Sequence, residues 1–171
     1  LWSRFLEDIS GGDPAQAAYL QRVAGYLLTG HTREDRFFML VGGRGAGKRT
    51  WLNALARALG DYARKADFET FCEQPVTRGG GAPTSDLAAL QGRRIVYASE
   101  GARGAKLNSR RVKDITGGEE ISAREVYKAQ VTFRPTFKLC LGTNFPPRAD
   151  EEDPALLDRL IYRCEPLRTE K

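Results

Sequence analysis

Gly42-Gly43-Arg44-Gly45-Ala46-Gly47-Lys48 sets four glycines and a lysine within seven residues. The spacing is G-x-x-x-x-G-K. Glycines let the backbone wrap an anion with its N–H groups, the start of the following helix adds its dipole, and the lysine reaches the β- and γ-phosphates. A glycine-rich turn with a stray lysine would look similar in isolation, so the flanks decide. Ahead of the loop lies a compact apolar run, Arg36 to Val41. Behind it, Leu52, Leu55, Ala56 and Leu59 recur with helical period, and Gly60 stands where a C-terminal cap belongs. A strand, a glycine loop and a helix are the context a phosphate loop requires. The residues assigned to nucleotide binding are Gly42, Gly43, Arg44, Gly45, Ala46, Gly47, Lys48, Arg49 and Thr50.

One position breaks the pattern. The motif wants Ser or Thr after the lysine, to ligate Mg²⁺, and this chain has Arg49, with Thr50 one place later. A guanidinium cannot ligate a cation and competes with it electrostatically. Three outcomes are open: Thr50 substitutes through a shifted helix start, the metal is held elsewhere, or turnover is impaired.

Two further segments carry chemistry. Arg94-Ile95-Val96-Tyr97-Ala98-Ser99-Glu100 is an apolar strand ending in a carboxylate, the form of a Walker B element whose acid polarises water or holds metal. Many strands end in Glu, and its place about fifty residues after a phosphate loop is what makes the assignment. Phe137 to Asn144 is another apolar run, and an amide at its tip can orient a water beside the γ-phosphate. Asn144 also precedes Pro146-Pro147, where a turn-forming Asn is common.

The elements that position these residues alternate. Asp13-Pro14 reads as an N-cap and first helical residue, followed by Leu20, Val23, Ala24, Leu27 and Leu28 on one face and ended by Gly30. Trp2 and Phe5 read as packing residues of a helix before that. Residues 61–83 look loop-rich, with Gly79-Gly80-Gly81 as a mobile connection. A short helix over Thr84–Leu90 leads to the Arg94–Ser99 strand. Asn108 can cap a helix carrying Val112 and Ile115, stopped at Gly117-Gly118. Ile121–Tyr127 and Gln130–Phe133 suggest a hairpin, Phe137–Gly142 a core strand, Asp153-Pro154 a last helix, and Leu160–Cys164 a final strand. Strands alternating with helices predict an α/β fold with a mostly parallel sheet.

Composition narrows the function. With 171 residues and 41% hydrophobic content, the chain suits one globular domain. No apolar run approaches the roughly 18–20 residues of a membrane helix, and Arg4, Glu7 and Asp8 interrupt the first apolar stretch, so neither membrane span nor secretory leader is expected. Cys72, Cys140 and Cys164 are too far apart for a zinc spacing, and with one histidine, His31, read as solvent-facing, zinc and haem are excluded. The odd, sparse cysteines suit a reduced, intracellular chain. The net charge is +5, and residues 101–140 hold nine bases (Arg103, Lys106, Arg110, Arg111, Lys113, Arg124, Lys128, Arg134, Lys138) against four acids. Such a cluster fits a polyphosphate partner or a solvated basic face.

In order and spacing, these segments resemble the superfamily 3 helicase domain, in the phage and plasmid primase-helicase branch also found in poxviruses. The resemblance covers nearly the whole chain. Besides the three segments above it rests on Gly25-Tyr26-Leu27-Leu28-Thr29-Gly30, Leu87 to Arg93, Leu107-Asn108, Lys113, Thr116-Gly117-Gly118, Ala123-Arg124, Phe133 to Leu139 and Thr143-Asn144. It implies an AAA+-like P-loop NTPase: a three-layer sandwich around a mostly parallel sheet, with an inserted β-hairpin. Residues 1–34 would form a helical lead-in and 35–171 the core of a single domain, excised from a longer primase-helicase.

By that resemblance Lys48, Glu100, Asn144 and Arg159 are catalytic: Glu100 as the Walker B acid, Asn144 as the sensor that places water, and Arg159 as the finger reaching a neighbouring subunit's site. Lys113 belongs to a motif peculiar to the superfamily, and Arg124-Glu125-Val126-Tyr127-Lys128 is the hairpin tip that grips single-stranded DNA, giving Lys113, Arg124, Tyr127 and Lys128 as DNA-binding residues. ATP and Mg²⁺ are the implied cofactors, with Thr50 and Glu100 the magnesium donors. The implied partners are single-stranded or forked DNA, further copies in a hexameric ring, and a primase domain in the same polypeptide, in the cytoplasm of a bacterial or phage-infected cell. The family usually has Asn before the Gly-Lys pair, Ser after it and Asp after Gly118, where this chain has Ala46, Arg49 and Glu119.

The leading expectation is therefore an ATP-driven DNA helicase motor. A nucleotide- and DNA-binding assembly module with impaired hydrolysis is the alternative, supported by Ala46 and Arg49. A small-molecule phosphotransferase is a third, but no arginine-rich lid or acceptor pocket is legible.

Overall fold

The computed structural model describes residues 1–74, 84–148 and 153–164, of which 162–164 as backbone alone. Helix α1 (Trp2–Ile9) is followed by α2 (Pro14–Leu28), where Asp13 Oδ1 accepts from the N–H groups of Ala15 and Gln16 at 2.9 and 3.3 Å. Pro14 occupies the first helical position, whose N–H would have been unpaired in any case. The helix stops one residue earlier than its glycine predicts. Thr29, not Gly30, is the cap residue, its backbone extended and its hydroxyl donating to Tyr26 O at 2.8 Å.

Five strands form one sheet. They are β1 (Phe37–Val41), β2 (Ala63–Lys65), β3 (Ile95–Ser99), β6 (Lys138–Thr143) and β7 (Leu160–Cys164), in the spatial order β2-β3-β6-β1-β7, and every neighbouring pair is parallel. Strand β2 was not legible from the sequence. Ala63-Arg64-Lys65 has no apolar alternation, and it is a strand because β3 offers it a free edge.

The sheet is covered on both faces, so its central strands are continuous apolar runs. Phe37, Met39, Val41, Val96, Ala98, Leu139 and Leu141 point to one face. There they meet the 3₁₀ turn Phe68–Phe71, α4 (Ser85–Ala88), α5 (Ser109–Thr116), the antiparallel hairpin of β4 (Ile121–Arg124) and β5 (Gln130–Phe133), and Leu156 of α6 (Pro154–Arg159). Phe38, Ile95 and Cys140 point the other way, against α1, α2 and α3 (Lys48–Leu59). The result is the three-layer α/β sandwich with a central parallel sheet and an added hairpin that the resemblance implied. Gly79-Gly80-Gly81, expected as a mobile connection, lies outside the described residues. None of the helices among the described residues is long and apolar enough to cross a membrane.

The basic run of residues 101–140 is a different object in space from what it is in sequence. Lys138 is buried, donating to the carbonyls of Thr29 and His31 and to the Thr29 hydroxyl, with its ammonium 4.6 Å from the centre of the Tyr26 ring. Burial pulls its pKa down to about 8. Lys106, Arg110, Arg111, Lys113, Lys128 and Arg134 each have a carboxylate oxygen within 4.0 Å, and Arg103 lies over the Phe145 ring. Six of the run's nine bases thus have a carboxylate within reach.

Candidate nucleotide site at the carboxyl edge of the sheet

In a parallel sheet, ligands bind beyond the carboxyl ends of the strands, where the order of connection reverses. Here β1 delivers the glycine loop, β6 beside it delivers Thr143 and Asn144, and β3 beside that delivers Ser99 and Glu100. The three chemically marked segments thus meet at one edge. They line an open cleft of about 530 Å³, within the range of small-molecule sites.

Gly45 and Gly47 both adopt φ +82°, a left-handed conformation that L side chains rarely take. Gly47 is constrained twice, because a Cβ there would sit 2.5 Å from Ile9 Cγ2 of α1. Among the described residues no side chain caps α3, whose first helical backbone bond runs from Trp51 N–H to Gly47 O at 2.9 Å. The start of a helix that follows a glycine loop suits an anion through its dipole and its N–H groups. Lys48 folds back over the loop, its Nζ donating to Gly42 O at 2.5 Å, Gly43 O at 2.8 Å and Asn144 Oδ1 at 3.1 Å. Lys48 and Asn144, 96 residues apart in sequence, share a hydrogen bond.

Arg49 and Glu100 meet across the same cleft, Nη2 to Oε1 at 3.0 Å, with both side chains about two-thirds exposed. Glu100 adopts φ +71°, uncommon for a residue with a side chain, and its N–H donates to Gly142 O at 3.0 Å. The next residue must be small, since a Cβ on Gly101 would meet the Phe68 ring at 2.5 Å. An ion pair this exposed contributes about 0–1 kcal/mol, so it orders the two side chains without locking them.

As a magnesium site this donor set does not fit. A guanidinium lies against the carboxylate that would face the ion, and Thr50, the other proposed donor, is a residue further round the helix, lining both the cleft and a smaller hollow of about 160 Å³ beneath α1.

The remaining predicted residues do not line this cleft. Arg159 packs at the α5–α6 contact, with Nη1 donating to its own Ala155 O at 3.1 Å and Nη2 3.6 Å from where a Cβ on Gly117 would lie. Its buried Nε has no partner among the described residues. Lys113 is on α5, its Nζ 2.7 Å from Asp153 Oδ2, while Ser109 Oγ donates to the same oxygen at 2.5 Å and Asp153 Oδ1 caps α6 through Leu156 N–H at 3.2 Å. The hydrogen bonds from Lys113 and Ser109 hold the Asp153 carboxyl at about 2, below its usual 3.8. Lys113 thus ties α5 to the helix that carries Arg159. At the hairpin tip Tyr127 is fully exposed at φ +61°, Val126 is half exposed, and Lys128 pairs with Glu125 at 2.5 Å. Arg124 is exposed and its N–H donates to Thr84 Oγ1 at 3.0 Å, adding Thr84 to the edge of β4.

Sequence reasoning missed Ser99 and Thr143, which line the cleft beside the residues it named. It also missed Asp8 and Ile9 of α1, and gave Phe5 as a packing residue of that helix without its place beside the glycine loop, against whose outer side all three lie. No local signal marks α1 for that position.

The family described as "Family of unknown function (DUF5906)" matches residues 40–159, more than half of the chain. The chain belongs to this family. The match runs from β1 to the end of α6, so the DUF5906 region holds the glycine loop, Glu100, the hairpin, Asn144 and Arg159.

Among curated proteins, the DUF5906 chain is 28% identical over 148 residues to the provisionally named helicase L207/L206 of Acanthamoeba polyphaga mimivirus, covering 86% of this chain and 15% of that protein. It is 28% identical over 133 residues to the provisionally named primase C962R of African swine fever virus, covering 76% and 13%. The chain thus spans about one-seventh of the length of these relatives. Among solved structures, the apo C-terminal region of NrS-1 matches with a TM-score of 0.67 at 13% identity, over 94% of this chain and 36% of that one. JCV helicase matches with a TM-score of 0.53 at 11% identity, over 94% and 42%. The superfamily 3 resemblance holds in both comparisons, in the naming of the relatives and in the fold.

Proposed function

We propose that this chain is the nucleotide-driven motor domain of a replication helicase, which binds ATP at the glycine loop and couples its hydrolysis to movement along single-stranded DNA. One observation carries this reading: Lys48, Glu100 and Asn144 converge at one edge of the sheet, in a chain that also presents an exposed hairpin tipped by Tyr127. The helicase and primase names of its relatives support it.

In this mechanism the loop N–H groups and Lys48 hold the triphosphate, which displaces Lys48 from the loop carbonyls. Asn144, released from Lys48, orients the attacking water, and Glu100 polarises it once freed from Arg49. Arg159 acts from a neighbouring copy, stabilising transition-state charge, so that hydrolysis depends on a ring, which we take to be hexameric. Lys113 sets the position of α6 and hence of that arginine. Tyr127 stacks on bases while Arg124 and Lys128 meet phosphates. A primase domain in the same polypeptide fits the larger size of the relatives.

The Arg49–Glu100 pair favours a second reading, a nucleotide- and DNA-binding assembly module that hydrolyses little. One experiment separates them: ATPase activity in magnesium buffer with and without single-stranded DNA, on this chain, Lys48→Ala and Arg49→Ser. DNA-stimulated hydrolysis that Lys48→Ala abolishes supports the motor. Nucleotide binding without hydrolysis, restored by Arg49→Ser, supports the assembly module.

A further inference from the structure

We propose that Arg49 replaces the divalent cation in nucleotide binding, so that this chain holds a nucleoside triphosphate through Arg49 and Lys48 with an affinity that does not depend on magnesium. The proposal rests on the nucleotide-site reading above and adds the source of the positive charge that the triphosphate meets. Magnesium normally neutralises part of the triphosphate while a hydroxyl after the lysine and a nearby carboxylate position the ion. Here neither donor is available in that form. The hydroxyl position is a guanidinium, and that guanidinium is 3.0 Å from the carboxylate. A dication at Glu100 would have to break this pair and then sit beside Arg49.

The cleft is already cationic. Among the described residues, Arg44, Lys48 and Arg49 line it against one carboxylate, Glu100, and the start of α3 adds its dipole. Arg49 is exposed, on the first turn of α3, and among the described residues is held by a weak surface pair, so the chain can turn it onto a phosphate. A guanidinium forms two parallel hydrogen bonds to phosphate, a stronger contact than a solvated ion pair. The same movement frees Glu100. The pair therefore acts as a latch, closed on the carboxylate in the empty cleft and opened by the arriving polyphosphate.

The test is equilibrium binding of a fluorescent ATP analogue in magnesium and in EDTA, on this chain, Arg49→Ser, Arg49→Lys and Lys48→Ala. Arg49 is two-thirds exposed, so its variants keep the fold, which circular dichroism checks. The expected result is an affinity for the unmodified chain that changes by less than about threefold on chelation, while Arg49→Ser loses about tenfold or more in EDTA and regains it with magnesium. Arg49→Lys, which keeps the charge without the fork, should fall between them. An unmodified chain that loses about tenfold on chelation overturns the proposal and leaves the nucleotide site standing, as does an Arg49→Ser variant with equal affinities in both buffers. Absence of binding in either buffer, or binding that ignores Lys48→Ala, overturns both.

Discussion

The carboxyl edge of the sheet and the hairpin tip are both rich in charge and glycine-like backbone, yet they are built in opposite ways. At the edge, Lys48 has three hydrogen-bond acceptors drawn from two strands' ends, and Gly47 is enclosed by Ile9. At the tip, Lys128 is paired with Glu125 three residues away, and Tyr127 is fully exposed. The edge is held by contacts that join separate strand ends, with Lys48 and Arg49 both engaged by the protein's own groups. The tip is held by its own turn and presents an aromatic ring to solvent. What the contrast teaches is that, in the proposed function, a triphosphate would meet charged side chains already engaged with the protein, whereas a base would meet an uncovered aromatic.

The comparison breaks most sharply at Lys48. Lys48→Ala is expected to lower nucleotide affinity or ATP hydrolysis by about a hundredfold or more while thermal stability changes little, measured by nucleotide titration and melting. If stability falls as far as activity, the lysine is a structural strap across the loop. Next, Gly47→Val should destabilise the whole domain by about 2–4 kcal/mol in chemical denaturation, through a left-handed φ and a clash with α1. An equivalent insult at the tip has no such neighbour to displace.

Tyr127→Ala is expected to weaken single-stranded DNA binding by about ten- to a hundredfold with folding stability unchanged to within about 0.5 kcal/mol, measured by fluorescence anisotropy and denaturation. Lys128→Ala should cost only about two- to fivefold, because Lys128 is already paired with Glu125 and offers the phosphates little free charge. Equal losses for both would show that phosphate contact counts for as much as stacking at the tip.

The smallest effect is expected away from both regions. The folded-state pKa of Asp153, about 2, lies below its usual 3.8, so its stabilising contribution is full above pH 4 and is lost as pH falls towards 2. Asp153→Asn should lower the melting temperature by a few degrees at neutral pH, and the gap to the unmodified chain should close between about pH 4 and 2. A gap independent of pH would mean that the charge of Asp153 is not responsible for the difference.

Each legible element had a local cause. Asp13 and Asn108 cap their helices because their side chains reach N–H groups two or three residues on. The run from Phe37 to Val41 is a buried strand because β-branched, aromatic and long apolar residues leave no polar face. The hairpin followed from alternation, with Ile121, Ala123 and Phe133 buried and Ser122 and Arg124 outside. Strand β2 and the cap at Thr29 escaped notice because a free sheet edge and a hydroxyl's orientation leave no periodic trace in the residues themselves.

Periodicity, capping and the glycine spacing, read along the chain, therefore settled which segments become strands, helices and the phosphate loop, since these depend on residues within a few positions of each other. Which residues meet was decided by the strand order β2-β3-β6-β1-β7, and that order has no local signature. It places Asn144 on Lys48, Arg49 on Glu100 and Ile9 over Gly47. The tertiary structure also buries Lys138 under α2 and brings Glu73 to Lys106 and Asp153 to Lys113, whereas Lys128 finds Glu125 within its own turn. A charge's partner is set by distance in space, and contacts between residues 50 to 100 positions apart exist only after the sheet has assembled.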